Sequence, residues 1–169
     1  SDAYIADSTV RTQQESSSGL VAVEGASLYS WDTEVRTEGD LSSPARIGSE
    51  GGTMVLNRGV LLSSGEGSPA FSSEGELAAL DVSASSSRSG AVSIEGKNAV
   101  RLFDCRIASN PRRDSRDDCL YNVVLYQGEE ADVSTGRTTF QMTGGQLSAR
   151  EGGLIYVTNT QASIVLESV

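Results

Sequence analysis

Short apolar runs recur along this chain, each closed by Gly, Ser or Asn. "GLVAVEG" from Gly19, "SPARIGSEG" from Ser43, "SPAFSSEG" from Ser68 and "GAVSIEG" from Gly90 all end on Glu-Gly. They are rich in Val, Ile, Leu, Ala, Phe and Ser without the 3.6 pattern of a helix, and "AVSIEG" and "LIYVTN" alternate as strands do. The glutamates are Glu24, Glu50, Glu74 and Glu95, so 26, 24 and 21 residues separate them. "NVVLYQG", ending at Gly128, and "GLIYVTN", ending at Asn159, fit as further copies with Gln127 and Asn159 in the acidic slot.

A second column runs in step with the first. An apolar run leads into Asp or Asn in "WDTEV" at Asp32, "LNRGV" at Asn57, "LDVSA" at Asp81 and "FDCRI" at Asp104, with spacings of 25, 24 and 23. "MTGGQL" puts Gly144 in that slot, 40 residues after Asp104, and Ser168 follows 24 residues later. A compact β-sandwich gives no reason for two columns in phase. A period in the twenties made of short strands predicts a solenoid. The fold expected is therefore all-β, a right-handed parallel β-helix of roughly six coils with two loop insertions, forming one domain over residues 1–169. Coils would stack about 4.8 Å apart, giving a rod about 30 Å tall. The Glu-Gly and Ser-Pro-Ala phrases would be its corners, where Gly supplies positive φ and short polar side chains cap the backbone.

Composition fits this picture. Only 37% of the residues are hydrophobic and 5% aromatic, which is thin for a globule but adequate for the narrow core of a β-helix. The net charge of −10 opposes binding to nucleic acid or to anionic membranes. No apolar run is long enough for a transmembrane helix. Histidine is absent, which removes Ser-His-Asp triads, Cys-His dyads and histidine zinc sites. Carboxylate-pair glycoside hydrolysis, or lyase chemistry using Arg and Ca²⁺, is the enzymology that remains.

From Thr139 the chain reads "TFQMTGGQLSAREGGLIYVTNTQASIVLESV". With "NVVLYQG", this resembles the repetitive β-helix regions of large adhesin-like surface proteins of Gram-positive gut bacteria, which share the pectate-lyase-like superfold. The resemblance is specific over about Asn122 to Val169 and holds at repeat level back to Gly19. It implies a secreted or cell-surface location and carries over no catalytic residues. The last coil ends in mid-pattern at "VLESV", so the expectation is a fragment of a longer protein, or end-to-end self-association through an open C-terminal coil.

Several groups are candidates for chemistry. A stacked column of Glu24, Glu50, Glu74 and Glu95 would place like charges about 5 Å apart, to be bridged by Ca²⁺ or splayed into water. No other cofactor is indicated. The Asp/Asn column reads as corner structure. Trp31, Leu56, Leu80 and Phe103 precede it, either filling core or forming an outward strip for sugars or a protein partner. The insertion "NPRRDSRDDCLY" offers Arg112, Arg113 and Arg116 to acidic glycans, Asp117 and Asp118 to a cation, and Tyr121 to a ligand; its bland alternative is a solvated loop. Cys105 and Cys119 flank this insertion and suit a disulfide, with free thiols as the alternative. The function expected is a non-enzymatic adhesin-like module, binding a glycan or surface protein or serving as a spacer. The competing expectation is a carbohydrate-active protein, either a lyase or hydrolase or a calcium-assisted glycan binder.

Overall fold

The computed structural model describes residues 1–111, 120–128 and 136–169. Its strands, in chain order, are β1 (Asp2–Ala6), β2 (Thr9–Thr12), β3 (Leu20–Ala22), β4 (Ala26–Thr37), β5 (Ala45–Ile47), β6 (Gly52–Ser63) and β7 (Phe71–Ser73). They continue with β8 (Glu76–Ser86), β9 (Val92–Glu95), β10 (Ala99–Ser109), β11 (Tyr121–Tyr126), β12 (Thr138–Ala149), β13 (Gly153–Thr158) and β14 (Ala162–Glu167). Long and short strands alternate because each coil crosses two sheets. The eight-stranded sheet runs β1-β4-β6-β8-β10-β12-β14, with β2 also paired to β4; the six-stranded sheet runs β13-β11-β9-β7-β5-β3. Every pairing is parallel, and the coils stack as a β-solenoid of about six turns. The predicted all-β parallel solenoid of about six coils is the observed one, and its two loop insertions lie largely outside the described residues.

Each long strand bends near its middle at a left-handed residue, followed in β12 by a second, Gly145 (φ 84°). The bend residues are Asp32 (φ 48°), Arg58 (48°), Asp81 (52°), Asp104 (50°) and Gly144 (70°), with Asp7 (47°) between β1 and β2 and Ser168 (56°) after β14. The flanking registers, Trp31↔Asn57↔Leu80↔Phe103↔Thr143, put all of them on one line along the rod. The bend leaves two successive residues facing outward and so reverses which positions face the core. In β8, Leu77 and Ala79 are buried before the bend, Leu80 and Asp81 are exposed, and Val82, Ala84 and Ser86 are buried after it. Asp tolerates this backbone better than most L-residues because its short side chain can bond locally.

The register corrects one sequence assignment. The slot in β6 is held by Arg58, not Asn57, and a one-residue slip moves every side chain to the other face. Asn57 therefore stands beside Trp31, while Leu56 is core at 2% exposure. Trp31, Leu80 and Phe103 do face outward, and Leu80 is 44% exposed.

The interior is a stack of like residues. Met54, Leu77, Val100 and Phe140 form one buried line; Leu56, Ala79, Leu102 and Met142 form the next. Thr37, Ser63, Ser86 and Ser109 form a buried hydroxyl line at the ends of the long strands. Thr37 and Ser63 cap the corner that follows their strand, and Ser86 bonds back to the corner of the preceding coil. Thr37 Oγ1 donates to Ser42 O at 2.6 Å, while Ser63 Oγ and Ser86 Oγ donate to Ser68 O at 2.5 and 2.9 Å. At the corner itself, Ser42 N–H donates to Ser68 Oγ at 3.0 Å. Such bonds satisfy backbone groups that would otherwise be buried without partners. The repeated Ser-Pro-Ala phrase thus stacks with Ser42 over Ser68, one position away from the alignment of the letters, because Ala45 pairs with Phe71.

Candidate ligand-binding groove on the six-stranded sheet

Alternation in the short strands gives the six-stranded sheet an outward column of Val21, Arg46, Ser72, Ser93, Val124 and Tyr156. Beside it the chain approaches the sheet through Ser16, Leu41, Gly67 and Ser89-Gly90. Sheet and approach enclose a groove of about 630 Å³ that runs along the rod from Ser16 to Tyr156 and Thr158. Small serines on the central rungs make its floor, and larger residues stand at both ends. Its wall carries strain. Leu41 adopts φ 53° and is 47% exposed, and Gly67 (φ 56°) lies where a Cβ would meet Leu41 Cδ2 at 2.9 Å. A bulky apolar residue held left-handed and exposed costs free energy, and such outliers concentrate at functional sites.

One end of the groove is aromatic. Tyr121 and Tyr156 stack with centroids 4.7 Å apart and planes within 16°. Gly153 makes room for the pair, since a Cβ there would lie 2.4 Å from Tyr121 Cε1. Tyr126 also lines the groove, and its hydroxyl donates to Glu95 Oε2 at 3.0 Å. Burial first, then the Glu95 charge, pushes Tyr126 up to about 12. It is a neutral donor at any physiological pH.

The glutamates divide. Glu24 N–H donates to Ser49 O, which sets Glu24 opposite Glu50. Glu74 N–H donates to Ile47 O, which sets Glu74 opposite Gly48, while Ser73↔Ile94 sets it beside Glu95. The cause is corner length: the chain runs from Ile47 to Thr53 in one coil where the next needs only Ser73 to Glu76. Two pairs replace the expected four-residue column. Tyr126, not Gln127, stands in register with Glu95. Glu74 is raised above the usual carboxylate range by burial and then by Glu95, against an opposing pull from Arg46. Among the described residues no group of three or more His, Cys, Asp or Glu side chains is gathered as a metal would require.

Trp31 lies on the eight-stranded sheet, stacked with Tyr4 (6.3 Å), which in turn stacks on Tyr29 (5.2 Å), away from the groove. Arg112, Arg113, Arg116, Asp117, Asp118 and Cys119 lie outside the described residues. Cys105 is a buried free thiol whose Sγ–H points at Phe103 O and Ala79 O, and burial raises its pKa. In the acidic bend column, Arg58 grips Asp32 through two bonds of 2.9 and 2.8 Å and holds it below the usual carboxylate range.

Of the predicted ligand residues that are described, Trp31 and Tyr121, only Tyr121 is in the groove. Arg46, Tyr126 and Tyr156 complete it and were not singled out by sequence. Their signal was the alternation in "ARI" and "LIYVT", which turns Arg46 and Tyr156 outward on a sheet. Searches against protein-family models, curated proteins and solved structures find no match. The chain is therefore placed by its own fold, as a parallel β-solenoid with a groove along one sheet.

Proposed function

We propose that this chain is a non-enzymatic module, secreted or displayed on a cell surface, that holds an extended glycan along the groove of the six-stranded sheet. The observation that carries this reading is the groove's form: it passes successive rungs of small floor residues and ends on the stacked Tyr121–Tyr156 pair. Tyrosine suits a ligand with apolar C–H faces and hydroxyl edges, because one side chain offers both a ring and a hydrogen-bonding tip. The central residues sit on strands, which hold their geometry better than loops. The resemblance to adhesin-like surface proteins supports the same reading and the extracellular setting.

The test is affinity electrophoresis through gels containing soluble polysaccharides. At least one should retard the protein, and Tyr156→Ala should bind it about tenfold more weakly, as loss of an aromatic contact worth ~1.5 kcal/mol implies. Circular dichroism would check that the variant is folded. Equal retardation of a folded Tyr156→Ala, or no retardation in any gel, would refute the reading. The carbohydrate-cleaving alternative is favoured by the adjacency of Glu74 and Glu95 behind the groove. Neither lines the cavity and Glu95 is bonded to Tyr126. New reducing ends released by wild type but not by Glu74→Gln would favour that alternative.

A further inference from the structure

Resting on the groove reading above, we infer that the glycan is anionic and that Arg46 holds its carboxylate or sulfate group. The chain carries 23 acidic residues and a net charge of −10. Yet among the described residues that line the groove there is no carboxylate, and there is one cation, Arg46. A cavity lined without carboxylates and with one guanidinium is less repulsive to an anion than the rest of this acidic surface.

Arg46 is also available. Arg11, Arg36, Arg58, Arg88 and Arg101 each pair with a carboxylate. Among the described residues Arg46 forms no salt bridge, as is also true of Arg106, Arg137 and Arg150, but of these four only Arg46 lines the groove. Glu74 and Glu95 are the acids nearest the groove. Glu74 influences Arg46 through space without an ion pair, and the Tyr126 hydroxyl occupies Glu95. Arg46 is half-buried on β5, a strand paired on both sides, and its planar fork suits two-point bonding to a carboxylate or sulfate. Arg46 and Tyr156 occupy the same outward column four rungs apart, about 19 Å at the rung spacing. One extended chain therefore reaches both, with its acid group at Arg46 and a ring against the tyrosines.

The experiment is titration calorimetry at near-physiological salt, where long-range repulsion from the acidic surface is screened within about 8 Å. The probes are polygalacturonate against neutral galactan, and dextran sulfate against dextran. Wild type should bind at least one anionic probe about tenfold more tightly than its neutral counterpart. Binding of polygalacturonate identifies the carboxylate, and binding of dextran sulfate the sulfate. Arg46→Gln should abolish that preference, and Arg46→Lys should restore part of it. If neutral probes bind as well as anionic ones, or a folded Arg46→Gln keeps the preference, the inference fails while the groove reading stands, provided Tyr156→Ala still weakens binding. If none of the four probes binds, the inference fails. If the gels also show no retardation, the groove reading falls with it.

Discussion

Asp7, Asp32, Arg58, Asp81, Asp104, Gly144 and Ser168 share one left-handed backbone geometry on successive rungs. The conformation costs an ordinary L-residue about 1–2 kcal/mol. Asp reduces that cost and Gly removes it. Asp104→Val should therefore lower stability by ~1–2 kcal/mol, whereas Asp104→Gly should be near neutral, as read by thermal or urea denaturation. Equal destabilisation by both would show that the Asp side chain, not the backbone, matters there. The column was legible in the sequence because a short polar residue after an apolar run is a local signature. It failed at Asn57-Arg58, where the expected residue type sits one position too early. Arg46 was illegible for the opposite reason. Nothing in "SPARIG" distinguishes a guanidinium in a groove from one in water, since the groove is built by residues from other coils.

Between elements, register decides the chemistry. The glutamates look equivalent in sequence, but the longer corner between β5 and β6 separates Glu50 from Glu74, and the shorter one after β7 joins Glu74 to Glu95. Corner length is set by how many residues the turn consumes, which an alignment of repeated letters does not reveal. The pairing has a pH consequence. Glu74 is raised in the folded state by burial and by Glu95, with Arg46 opposing and the Tyr126 hydroxyl bonded to Glu95 nearby. A carboxyl raised on folding contributes stability when protonated, fully present below its unfolded value and lost as pH rises through its folded value. Glu74→Gln should then melt higher than wild type at neutral pH, with the gap closing on acidification. A gap that widens toward acid would contradict the assignment. The buried line Thr37, Ser63, Ser86 and Ser109 is a further product of register. Serines and threonines are common enough in this chain to hide it.

At the scale of the whole molecule, the period predicted the solenoid and its coil count. The 40-residue interval from Asp104 to Gly144 is a single coil, as the pairing of Phe103 with Thr143 and Cys105 with Gly145 establishes. The groove emerges only here, because strands β5, β7, β9, β11 and β13 and the approaches to β3, β5, β7 and β9 all contribute to it.

The ladder hydrogen bonds of the two sheets join neighbouring coils and lie along the rod. A load applied between the two ends of the rod therefore pulls on them directly, one rung at a time, instead of shearing many at once. Each coil that detaches would lengthen the chain by roughly 80 Å at extended-chain reach. Single-molecule stretching should show a succession of short extensions at low force. One all-or-none extension of the entire chain would refute this. A rod built in this way would yield gradually under load, and because the groove runs from Ser16 to Thr158, the loss of the C-terminal end coil would remove its Tyr156 end first.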